Sequence, residues 1–562
     1  MSFCSKCGKE TPDGVFLCDE CASTTPKAAE THNDASEEAD NLVRIMHTAT
    51  PRDMAFAALL ILPSLLLINS LLWSGVGLGL TVAVILIAVF SFAYAITEKK
   101  ALPSLYSTVL AAIMILSAIS LTISDEPITK GFSVAAIFIL YMVVLTDYFG
   151  ARSRKEGSYR AAMDIAETAF ARGLGKMDNG LFALFRKTDE EGNIEKRKTG
   201  KVITGALVAL PVLFLVVPLL ILSDAAFEGI FKKFTFDSIW EIFLSVSLGF
   251  LYFLAVFSRL FTMKTAEPVE KKVSNPAGLD PISVGAFLSV ISFVYIVYLF
   301  SQLAYFFSAF SGLLPEDFSL SEYARRGFFE MSVVCAINLF IVFLATVLCK
   351  KTEKGLPPAI KALCLFLCGF SCILIGTAIS KMFLYIDRLG LTRLRVYTSV
   401  FMVFLALVFL TVILKLFICR IPYMKIILVS ACSILLVTCL ADADRIIANY
   451  NVNAYLSGKH QSVDIATIEK LDSSAIAPLL RLSREGDEAT KDEARSALTN
   501  HLKKHYDIIQ DDDGNVKLRR KDFDIRNLNI SRELALDLLE ENWEDFIDYD
   551  IYYNRAKNNY AY

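Results

Sequence analysis

Four cysteines in the segment "CSKCGKETPDGVFLCDEC", Cys4, Cys7, Cys18 and Cys21, follow the pattern C-x2-C-x10-C-x2-C. Two such knuckles can present four thiolates tetrahedrally to one Zn2+. Gly8, just after the second cysteine, permits the tight backbone that turns amide N–H groups toward the sulfurs. "PDG" at 12–14 is a turn signal for the hairpin that joins the knuckles. So short a segment builds no core, and its folding must come from the metal. All four positions are cysteine, so no coordination position is left for a substrate, which favours a structural site over a catalytic one. A disulfide framework would need export, which the topology argued below opposes. The expectation is a zinc ribbon that docks a cytoplasmic protein partner or makes an oligomer contact.

The remaining reactive residues carry less. "CLFLCGFSC" places Cys364, Cys368 and Cys372 at i, i+4 and i+8, one stripe of a helix. With no His or carboxylate near them in sequence, small packing residues are favoured over a metal or redox relay. The same reading covers Cys335, Cys349, Cys419, Cys432 and Cys439. There is no G-x-S-x-G, Walker loop, H-E-x-x-H or dinucleotide fingerprint, and an enzyme is not the favoured class. "DDDGN" at 511–515 has Ile509 where the first ligand of a calcium loop would stand, and reads as a turn. Within apolar runs, Lys381, Lys415 and Arg259 are placed to snorkel to an interface, and Asp147 and Glu241 fall near helix ends. Asn69, Gln302 and Asn338 read as interhelical glue.

The elements that must position these residues are membrane helices. Apolar residues make up 54% of the chain, charged residues 20%, and mean hydropathy is +0.49, well above the needs of a soluble domain. Net charge is −3, which gives no footing for a nucleic-acid partner. The first apolar run follows about fifty polar residues, so a cleavable signal peptide is not expected. Apolar runs near the roughly 20 residues a crossing needs recur at 55–73, 76–96, 102–123, 131–149, 202–222, 238–261, 282–310, 328–348, 360–385, 396–418 and 425–440. The last is short enough to be re-entrant, and "WSGVG" leaves almost no turn between the first two.

The fold class expected is therefore membrane all-α, with about eleven transmembrane helices. The divisions are a ribbon at 1–22, a flexible linker at 23–50, a polytopic domain at 51–440 and a polar, mainly helical C-terminal domain at 441–562. The last carries 24 Asp and Glu against 17 Lys and Arg and is mildly acidic. With the N-terminus cytoplasmic, 25 Lys and Arg fall on cytoplasmic connections and 8 on the opposite ones, a positive-inside bias. Twelve of them lie between Arg152 and Lys201, around a stretch with the periodicity of a helix lying along the bilayer. This places the chain in the cell membrane with its C-terminal domain extracytoplasmic.

"ALPVLFLVVPLLILSDAAF" (209–227), "SEYARRGFFEM" (321–331), "YIDRLGLTRLRVYT" (385–398), "DADRIIANYNVNAYL" (442–456) and "NLNISRELALDLL" (527–539) resemble recurring blocks of a bacterial polytopic membrane family. That family is known only as a numbered domain of unknown function, often joined to an N-terminal zinc ribbon like that of "MSFCSKCGKETPDGVFLCDECA". The resemblance implies the architecture and no activity.

The helix count puts these blocks at the outer end of the bundle. They carry Asp224, Arg325, Arg326, Glu330, Asp387, Arg388, Arg393, Arg395, Asp442, Asp444 and Arg445. Arginine suits bidentate pairing with a carboxylate or a phosphate. The set is expected to converge, seat the C-terminal domain on the bundle and offer a surface to an anionic lipid or envelope ligand; unrelated solvated loop charges are the alternative. Two function classes stay open: a regulatory, sensor or scaffold protein, and a transporter or an envelope lipid- or polymer-modifying protein.

Overall fold

The computed structural model describes residues 49–99, 103–149, 236–265, 278–311, 328–350, 352, 355–418, 420–510, 516–521 and 523–547. It also gives the backbone of the short pairings 2–3 with 10–11 and 186–188 with 194–196, and residues 216 and 223. The ribbon cysteines, linker residues 23–48 and all of the expected span 202–222 but residue 216 lie outside the described residues.

Ten helices among the described residues are long and apolar enough to cross a membrane. They are α1 (Pro51–Asn69), α2 (Leu78–Lys99), α3 (Leu105–Ile123), α4 (Pro127–Tyr148), α5 (Phe236–Thr265), α6 (Pro281–Ser311), α7 (Phe328–Leu348), α8 (Pro358–Leu389), α9 (Arg393–Phe417) and α10 (Tyr423–Leu440). Pro51, Pro127, Pro281 and Pro358 each open a helix, where a missing N–H leaves no bond unmade. Thr50 and Asp53 close a capping box on α1. The tight joint after α1 is a π turn over Ser70–Ser74, followed by Gly75 at φ +81°, a conformation that favours glycine.

Apolar side chains of α1–α5 and α10 share one core around Leu60, Ala83, Met114, Leu140 and Phe257. Those of α6–α9 share a second around Leu288, Val342, Cys368 and Phe409. Cys364 and Cys368 are wholly buried there, as packing residues are. Ile282 and Phe300 of α6 face away from the core, 81% and 71% exposed, as lipid-facing side chains are.

Contacts at the helix ends fix the two ends of the bundle. At one end Lys264 of α5 meets Asp53 of α1 and Glu98 of α2, Ser104 before α3 meets Asp147 of α4, and Lys425 of α10 lies over the Tyr106 ring. Leu279 pairs with Cys349, and Lys361 of α8 lies over Phe417 of α9. The C-terminal domain sits at the other end. Its elements are α11 (Ala443–Leu456), α12 (Ile465–Glu469), α13 (Ile476–Glu485), α14 (Glu488–His505), and α15 (Ile530–Glu541). They enclose a third core around Ile447, Leu479, Leu498 and Leu536. With the pairings 2–3, 10–11, 186–188 and 194–196 as β1 to β4, a hairpin of β5 (Tyr506–Gln510) and β6 (Val516–Arg520) is added to these helices, on either side of "DDDGN".

Two expectations change. α10 is not re-entrant: it starts beside Tyr106 and ends with Cys439 against Ser133 of α4 at the opposite end. Arg259 does not snorkel; it is 5% exposed within the bundle, because two further turns of α5 follow it.

Candidate functional site

The seam between the C-terminal domain and the bundle is where polar chemistry concentrates. α8 stops at Gly390, whose φ of +77° is left-handed. A Cβ there would also stand 2.5 Å from Asn451 Oδ1, so only glycine fits. Asn451 of α11 accepts from Leu391 N and donates to Leu391 O, both at 2.8 Å. That reciprocal pair ties the α8–α9 joint to the C-terminal domain.

Thr392 caps α9 and sets Arg393 at its first position. Arg393 donates through Nε to Asp444 Oδ1 at 2.7 Å and through Nη2 to Oδ2 at 2.5 Å, the bidentate geometry that adds direction as well as energy. Asp444 is 2% exposed, and burial raises its pKa although Arg393 pulls the other way. Asp442 caps α11 from a left-handed conformation, accepts from Ser474 Oγ and pairs with Arg445 at 3.4 Å.

Glu126, the residue before α4, completes this group. It is 3% exposed, its Oε2 accepts from Thr129 Oγ1 at 3.3 Å, and its Oε1 has no hydrogen-bond partner among the described residues. Burial first, and then the Asp444 carboxylate, pushes its carboxyl up to about 7. Its neighbour Asp125 pairs with Lys130 at 3.0 Å and accepts from Ser473 Oγ of the C-terminal domain.

A second contact lies along the α1–α2 joint. Arg526 donates to Asn69 Oδ1 and lies 3.8 Å from Glu241 of α5. Asn529 donates to Ser124 O at 2.6 Å, and Leu78 N donates to Leu528 O at 3.1 Å. Gly77 makes this approach possible, since a Cβ there would stand 2.8 Å from the Asn527 carbonyl carbon.

Of the expected set, Arg393, Asp442, Asp444 and Arg445 are brought together. Asp387 is not among them: it is exposed and paired at 2.5 Å with Lys459, past the C-terminal end of α11, a surface pair of small worth. Arg395 donates to Leu389 O and Gly390 O over the Tyr385 ring, capping α8. Arg388 is exposed, and Glu330 is exposed in the first turn of α7. Asp224, Arg325 and Arg326 lie outside the described residues. The forks of Arg393 and Arg395 are taken by protein acceptors, which leaves little of either for a phosphate.

Sequence reasoning missed Glu126, Asp125, Lys130, Asn451 and Arg526. Two adjacent carboxylates directly before the helix-opening Pro127 were the available signal for the first pair. It also missed the opposite end, where Asp53, wholly buried, accepts from Tyr94 Oη and Lys264 Nζ, both at 2.8 Å. No group of three or more His, Cys, Asp or Glu able to hold a metal occurs among the described residues.

Compared with known proteins, residues 109–482 match the model of a domain of unknown function, DUF4153. No curated protein and no solved structure matches the chain.

Proposed function

Because the chain belongs to the DUF4153 family, its role is to be read from its geometry, and we propose that it is a membrane-embedded regulatory protein. The C-terminal domain receives a signal on the outer face of the cell membrane. The bundle carries it to the N-terminal segment, where Cys4, Cys7, Cys18 and Cys21 hold Zn2+ in a ribbon that docks a cytoplasmic protein partner. The charge bias of the connections supports this orientation. One observation carries the reading: the C-terminal domain is joined to the bundle through buried, directional pairs, Arg393 with Asp444 above all. A domain seated that way can pass a change of state into helices.

The test uses the tagged chain in its native membrane. A protein retained by the full chain should be lost when residues 1–50 are removed. Its retention should change in Asp444→Asn, whose site lies at the far end of the bundle. Metal analysis should find about one zinc per chain, and looser zinc in Cys18→Ser. Unchanged retention in an Asp444→Asn protein that inserts normally would overturn the reading. Solute flux through vesicles, lost in the same variant, would favour the transporter class, for which the unpartnered Glu126 Oε1 is the one supporting observation.

A further inference from the structure

Charge matching across the seam singles out one residue. Asp125 has Lys130, Asp442 has Arg445, Asp472 has Lys504 at 2.7 Å, and Asp444 has both donors of Arg393. Glu126 has no ion pair among the described residues, although it is the most deeply enclosed acid of the group after Asp444. A buried set of one arginine and two carboxyls is electrically balanced only when one carboxyl holds a proton. Arg393 commits its fork to Asp444, so the proton belongs on Glu126, whose Oε1 accepts nothing among the described residues.

We propose that Glu126 is a proton-binding site whose occupancy sets how firmly the C-terminal domain is held on the bundle. This deepens the regulatory reading above and rests on it only for its consequence, not for the site itself. With the proton bound, Arg393 and Asp444 form a neutral, closed pair and Glu126 packs as an uncharged side chain. With the proton lost, a second negative charge stands beside Asp444 and competes for Arg393. Relief comes from water entering the seam, and the contacts of α11 with the α8–α9 joint loosen.

The groups facing Glu126 come from every element around it. They are Arg393 of α9, Asp444 of α11 and its cap Asp442, Thr129 of α4 and the Cys439 thiol of α10. Asp472 lies behind them, close enough to act on Arg393 and Asp444. Cys439 of α10 lies against Ser133. Lys130, paired with Asp125, faces Arg532 of α15.

The sign follows from linkage. A carboxyl raised from 4.5 to about 7 in the docked state binds its proton more tightly there than in water. It therefore supports docking fully below about 4.5 and loses that support as pH rises through 7. The shift corresponds to a weakening of docking on the order of 100-fold between those limits.

The full chain in nanodiscs tests this. Protection of the α11 amides, corrected for intrinsic exchange, should fall tens-fold or more between pH 5.5 and 8.5. In Glu126→Gln it should stay high and flat. Infrared difference spectra over the same range should contain a protonated-carboxyl band that titrates near 7 in the parent protein and is missing in Glu126→Gln. A flat parent profile, or a pH dependence that survives in Glu126→Gln, would overturn the proposal. If the band and the exchange behave as expected while partner retention ignores pH, the proton site stands and the regulatory reading fails.

Discussion

At the scale of single residues, the clearest dependency is on Asp53. It caps α1 through Thr50, takes the hydroxyl of Tyr94 from α2 and the ammonium of Lys264 from α5, and is wholly buried. Lys264 reaches on to Glu98 at 3.0 Å, so one carboxylate fixes the ends of three helices. Removing a single partner from such a network leaves the others without compensation, at a cost of about 3–5 kcal/mol. Asp53→Ala should therefore lower the thermal midpoint in detergent far more than Arg52→Ala does, since Arg52 is exposed and stands 4.0 Å from Glu98. Equal midpoints for the two variants would refute the clamp. None of this was legible from the chain alone. Asp53 reads as a polar flank and Lys264 as one more loop charge, because 211 positions separate them. Arg393 and Asp444, 51 positions apart, were legible only as members of two charged blocks placed at the same end by the helix count.

At the scale of elements, the joints decide where the C-terminal domain can sit. Gly390 holds a left-handed backbone and leaves room for Asn451 Oδ1. Gly390→Ala should cost about 1–3 kcal/mol from backbone strain and displace Asn451 as well, so exchange should rise in α11 and in the α8–α9 joint together. A rise confined to the joint would mean that Asn451 does not carry the connection. Within α14 the pH sense is opposite to that of Glu126. Burial, with Lys504 nearby, depresses His505 from 6.5 to about 4, and burial also lowers His501. Both rings are neutral in the fold and take up protons more readily when it opens. Their contribution is present above about 6.5 and is lost as pH falls toward 4. Acidification should thus raise exchange in α14 below pH 6, and His505→Gln should shift that loss to lower pH. No shift would move the cause elsewhere. The two effects act on different contacts and in opposite senses: α14 weakens as pH falls below about 6.5, and the seam at Glu126 weakens as pH rises toward 7.

At the scale of the whole molecule, the spans were the most legible feature. Twenty apolar residues in a row admit few alternatives, and every expected span that falls on described residues is a helix there. The C-terminal domain was less so, because its β5–β6 hairpin is short and its neighbours are helices that hold it from outside the local pattern. Topology follows from the ends. α4 finishes at the Asp53 end, with Asp147 against Ser104. α5 begins at the other end, with Glu241 against Arg526. The described residues on either side of 150–235 thus lie at opposite ends of the bundle. In the proposed orientation, drawn from the charge bias of the sequence, the Asp53 end faces the cytoplasm. In a background without reactive native cysteines, Ser457→Cys should then react with an impermeant thiol reagent on intact cells. Thr352→Cys, exposed in the α7–α8 joint at the Asp53 end, should react only after the membrane is opened. The reverse pattern would invert the orientation and keep the bundle; reaction of both in intact cells would break the assignment of ends itself.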